Sequence, residues 1–97
     1  MQQTQAVFNG FSEVYEIVPD RVYEVVYNTR RIRIYIGEVV VGPPGMTYQA
    51  IYDELNTTST GDVWHRLSGV PHIGASPNSA QAALRQAASW LLRFLEV

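Results

Sequence analysis

Between residues 13 and 41 apolar and polar positions alternate in short runs rich in Val, Ile and Tyr, the pattern of half-buried strands. Val14-Tyr15-Glu16-Ile17-Val18 and Val22-Tyr23-Glu24-Val25-Val26 nearly repeat one another, and Pro19-Asp20-Arg21 between them carries turn chemistry. Arg31-Ile32-Arg33-Ile34-Tyr35-Ile36 then alternates strictly after Asn28-Thr29, which reads as a two-residue hairpin loop. That loop places Val25 opposite Ile32, Tyr23 opposite Ile34 and Glu24 opposite Arg33. A three-residue loop at Pro19-Asp20-Arg21 places Ile17 opposite Tyr23 and Tyr15 opposite Val25. The expected inner face is therefore Tyr15, Ile17, Tyr23, Val25, Ile32, Ile34 and Ile36, and a slip of one residue would turn each side chain to the other face.

Gly42-Pro43-Pro44-Gly45 ends this meander, because proline cannot continue a central strand. The tyrosines of Tyr48-Gln49-Ala50-Ile51-Tyr52-Asp53-Glu54-Leu55 alternate as in a strand, with a helix over 47–55 as the competing assignment. A polar loop from Asn56 to Asp62 leads into Val63-Trp64-His65-Arg66-Leu67, which completes a second hairpin. Helical periodicity takes over at the C-terminus. Ser76 is the expected N-cap, Pro77 suits the first helical position, and Ala80, Ala83, Leu84, Ala87, Leu91, Phe94 and Leu95 share one face. The expectation is an α+β domain: an antiparallel meander plus a second hairpin, four to five strands in all, with one long C-terminal helix on one face. Residues 1–10, rich in glutamine, read as a flexible lead-in, and residues 11–97 as one domain.

Composition narrows the chemistry. The absence of cysteine excludes disulfides, thiolate catalysis and cysteine-based metal centres. All seven cationic residues are arginine, so a Schiff-base or P-loop lysine is excluded as well. A net charge of -2 is not the basic balance of a nucleic-acid-binding surface. Met1-Gln2-Gln3-Thr4-Gln5 carries no positive charge, no long apolar run follows, and no segment approaches a membrane span. On these grounds the chain is expected to be unprocessed and cytoplasmic, without a membrane partner.

One helix covers one face of a sheet, and the expected outer face holds Val14, Val18, Val22, Val26 and Tyr35, with Arg31 and Arg33 beside Glu16 and Glu24. Contiguous apolar residues on an open face point to contact. The first expectation is a small non-enzymatic binding domain. It would act through protein–protein contact or self-association at Val14, Val18, Val22, Val26, Arg31 and Tyr35, unless the chain itself covers this group.

The alternative is a nucleic-acid-binding accessory domain using Arg30, Arg31 and Arg33 with Tyr27 and Tyr35, since arginine and aromatic surfaces bind single strands. From Ser76 onward, Ser76-Pro77-Asn78-Ser79-Ala80-Gln81-Ala82-Ala83 after a sheet is loosely similar to the last half of double-stranded-RNA-binding domains. It also looks like small bacterial sheet-plus-helix antitoxin modules. The RNA-binding family has lysines where Asn78, Ser79 and Gln81 stand here, and its first helix has no counterpart in this chain, so the likeness implies architecture alone.

The helix start offers a weak anion site at His72, Ser76, Asn78 and Ser79. A third class, a hydrolase-like or metal enzyme, would draw on His65 or His72 with Asp53. No G-x-S-x-G, H-E-x-x-H or phosphate-cradling loop is present, so no catalytic residue, metal or cofactor is assigned.

Overall fold

The protein was analysed as a computed structural model that describes residues 2–3, 10–40, 46–70 and 79–96. Six strands form a single antiparallel sheet in chain order: β1 (Gln2–Gln3), β2 (Glu13–Val18), β3 (Val22–Tyr27), β4 (Arg30–Val40), β5 (Met46–Thr58) and β6 (Gly61–Arg66). Helix α1 (Ala80–Glu96) packs on one face, against β4 and β5. The α+β class and the C-terminal helix match the expectation, and residues 47–55 lie in a strand rather than a helix. The sheet gains one strand because Gln2 and Gln3, read as part of a lead-in, pair with Glu16 and Tyr15.

The β3–β4 hairpin has the expected register: Tyr23 faces Ile34, Glu24 faces Arg33 and Val25 faces Ile32. Asn28 takes a positive φ of 56° in its two-residue loop, a conformation asparagine accepts more readily than most residues. The β2–β3 hairpin departs from expectation by one residue. Val18 does face Val22 across Pro19-Asp20-Arg21, but a bulge at Ile17 shifts everything upstream, so Glu16 faces Tyr23, Tyr15 faces Glu24 and Val14 faces Val25. Val14 thereby enters the core at 0% exposure and is not an interface residue, while Tyr15 turns to the outer face. Glu16 does not reach Arg33; its Oε2 accepts from the Tyr23 hydroxyl at 2.7 Å.

The core is Phe11, Val14, Tyr23, Val25, Ile32, Ile34, Ile36, Ala50 and Tyr52 under Ala83, Leu84, Ala87, Ala88, Leu91 and Leu95 of the helix, with Val70. Alanines let the helix approach the strands closely, and the larger side chains fill the space beyond. The Tyr52 hydroxyl donates to the Ala87 carbonyl at 3.5 Å across this interface. Gly10 packs against the far half of the helix with φ of +107°, and a Cβ there would lie 2.6 Å from Leu92 Cδ2. The helix starts later than expected. Ser79, not Ser76, is its cap: its Oγ accepts from Ala82 N at 3.1 Å and its carbonyl from Ala83 N at 3.0 Å. Ser76 and Pro77 lie outside the described residues.

Candidate interface on the outer sheet face

Strand alternation fixes what the outer face carries. With Tyr23 and Val25 turned to the helix, Val22, Glu24 and Val26 point away from it, and the pairing carries that parity across the sheet. One row runs Tyr15, Glu24, Arg33, Asp53, Arg66, one residue from each of five strands. A second holds Val22, Tyr35 and Ile51, and Trp64 stands with Leu55 on the same side. Among the described residues, no helix or loop lies over this face.

The central row alternates in charge. Glu24 accepts from Arg33 Nε at 2.9 Å through one carboxylate oxygen and from Arg31 Nη1 through the other. Arg66 Nε donates to Asp53 Oδ1 at 2.6 Å. The Arg33 guanidinium also lies over the Trp64 ring, 4.7 Å from its centre. These neighbours leave Glu24 only 5% exposed although no helix covers it. Burial alone would raise the Glu24 carboxyl, but the hydrogen bonds and charges of Arg33 and Arg31 outweigh it and hold the group below its ordinary range. Arg33 is correspondingly raised, by its hydrogen bond to Glu24 first.

Of the expected interface residues, Val18 is exposed at 45%, Val22, Arg31 and Tyr35 are half-buried, and Val26 is buried on this face beside Glu13 and Arg31. Trp64, Ile51 and Arg66 belong to the face and were not singled out in the sequence, and Asp53, read there only as a carboxylate for an enzyme site, belongs to it as well. Carrying the register from Arg33 to Asp53 and Arg66 would have found them, but that step requires the length of the β4–β5 loop.

The nucleic-acid set is divided by the sheet. Arg31, Arg33 and Tyr35 lie outside, whereas Arg30 and Tyr27 face each other on the helix side. Tyr27 meets Phe11 edge-on with ring centres 6.4 Å apart. Arg30 grips Glu54 with two bonds, of 2.7 and 2.8 Å, and the hydrogen bonding foremost lowers the Glu54 carboxyl. All three arginines of the cluster are therefore paired with carboxylates.

His65 pairs with Glu54 and Asp53 with Arg66, at adjacent register positions, so His65 and Asp53 point to opposite faces of the sheet and do not converge. Among the described residues no three His, Asp or Glu side chains are placed to hold a metal. In the anion set, the Ser79 hydroxyl caps its own helix, and His72, Ser76 and Asn78 lie outside the described residues. No described helix is long and apolar enough to cross a membrane. Comparison with family models, with curated proteins and with solved structures finds no match to this chain.

Proposed function

We propose that this chain is a binding domain that associates with a second copy of itself, outer sheet face against outer sheet face. The observation that carries the reading is the make-up of that face: half-buried Trp64, Tyr15, Tyr35 and Ile51 beside three arginines, left uncovered by every described element. Tryptophan, tyrosine and arginine supply most of the binding energy in protein interfaces, since each offers a large contact area with a polar handle. Arg31, Arg33 and Arg66 stand against Glu13, Glu24, Asp53 and Asp62, so the face is close to neutral as a whole and striped in sign. A near-neutral, striped surface is a charge complement of its own rotated copy, which suits the isologous contact of a two-fold dimer.

The paired arginines weigh against nucleic acid as the partner. A phosphate backbone would have to displace Glu24 from two guanidinium groups, and the net charge of -2 supplies no attraction to compensate. An enzyme has less support, since His65 and Asp53 are held apart. Methyl resonances test the proposal as concentration is raised from micromolar to millimolar. Those of Val18, Val22 and Ile51 should move together, while those of Ile32 and Ile34 beneath the helix should stay. Methyl shifts that are absent, or confined to the helix side, would contradict self-association through this face.

A further inference from the structure

Gly37 lies inside β4, and the described part of its own chain gives no reason for it. Glycine weakens a strand, because it loses more backbone freedom on ordering and brings no side chain to pack. Within a strand it serves a bulge, a left-handed backbone, a bend, or the close approach of another group. The β4–β5 ladder runs from Ile32 and Glu54 to Val40 and Met46 without a shift of register, so Gly37 makes no bulge. Gly10, Gly61 and Gly69 have a positive φ and Gly37 does not. A Cβ at Gly10 would collide with Leu92, whereas at Gly37 no described atom lies within 4 Å of one.

Its place in the sheet is informative. Ile36 is turned to the core, so alternation sets Gly37 on the outer face, where it is exposed. It pairs with Gln49 of β5. On its other side β3 starts at Val22, opposite Tyr35, so among the described residues no strand pairs with Gly37 there. The outer surface therefore has a notch, bordered by half-buried Tyr35, Gln49 and Ile51. Val18 and Val22 extend this part of the face, and none of these residues is charged. Arg33 and Asp53 lie beyond Tyr35 and Ile51, towards the β3–β4 turn. Main chain bared in an uncharged surface can be approached to van der Waals contact without stripping water from an ion.

We propose that Gly37 is the point of closest approach in the outer-face dimer, where a side chain of the second copy seats on the bare main chain of β4. This inference rests on the self-association argued above and adds the residue that decides its fit. A second copy suits the notch because a two-fold contact uses one patch twice. Each copy then brings one notch together with the large side chains, Tyr35 and Ile51, that can fill the other's. Gly37 determines specificity through the volume it leaves free and not through a bond of its own.

The test is the series Gly37→Ala and Gly37→Val in the whole chain, with fold and association measured separately. Urea unfolding, at a concentration dilute enough for the monomer, reads the fold, and sedimentation equilibrium reads association. The urea midpoint should hold or rise from glycine to alanine to valine, since each step restricts the unfolded chain and adds strand propensity at an open position. The dimer dissociation constant should rise in the same order, by roughly ten-fold or more for valine, because the added volume overfills two notches at once. A midpoint that falls along the series would mean that the chain itself needs glycine to bend β4, and overturns the proposal. A parent that dimerises and variants that dimerise as tightly remove Gly37 from the contact while leaving self-association standing. A parent that stays monomeric at millimolar concentration, with no methyl shifts at Val18, Val22 and Ile51, overturns self-association and this inference with it.

Discussion

Glu24 shows how one residue can hold an open sheet face together. Its carboxylate receives Arg31 and Arg33, its backbone sits in the middle of the sheet, and those arginine stems shield it from water. Replacing Glu24 with glutamine leaves two guanidinium groups sharing a neutral acceptor. Breaking a fully buried pair costs more, but both arginines are about a third exposed and can rehydrate, so a loss of about 1–3 kcal/mol is expected in urea unfolding. The same residue sets part of the acid response. Its folded pKa lies below the ordinary 4.5, as does that of Glu54, so the native state binds fewer protons than the unfolded chain. Their stabilising contribution is complete above about pH 4.5 and is lost as pH falls through the folded values. The Glu24→Gln variant should therefore lose less stability than the parent between about pH 7 and about pH 3. At the alkaline end burial, then the bond to Glu16, pushes the Tyr23 hydroxyl up to about 12, so its contribution is present below pH 10 and declines above it.

At the scale of elements, the helix cap gives a clear test. Ser79→Ala should cost about 1 kcal/mol in thermal or urea unfolding, because it strips the acceptor from Ala82 N. The sequence favours Ser76 through the neighbouring Pro77, yet Ser79 is the serine three residues ahead of the amide that needs an acceptor. The two hairpins teach a similar lesson. The β3–β4 register was legible because Asn28-Thr29 admits one loop length and the alternation of Ile32, Ile34 and Ile36 leaves one face to bury. The β2–β3 register was not, although its turn was read correctly. A bulge leaves no mark in Val14-Tyr15-Glu16-Ile17-Val18, where either parity offers apolar residues to the core. The structure buries Val14 and leaves Tyr15 outside, with its hydroxyl on Glu13.

At the largest scale, the helix and six strands among the described residues make two layers, and the core of those residues lies on one sheet face. The sequence located a surplus of apolar side chains on the other face, and Val18, Val22 and Tyr35 are there. It did not reveal the charge row at its centre, since Asp53, Trp64 and Arg66 reach Arg33 only through long-range pairing across β4, β5 and β6. That row changes the character of the face from an apolar patch to a near-neutral surface of arginines and aromatics, suited to a copy of itself. Sedimentation equilibrium of the whole chain and of Ile51→Glu, which places a charge on this half-buried outer position, tests this claim most directly. The account predicts a monomer–dimer equilibrium for the parent and a monomer at all concentrations for the variant, with unchanged helix content in both. A parent that remains monomeric at millimolar concentration, or a variant that dimerises as tightly as the parent, would contradict it.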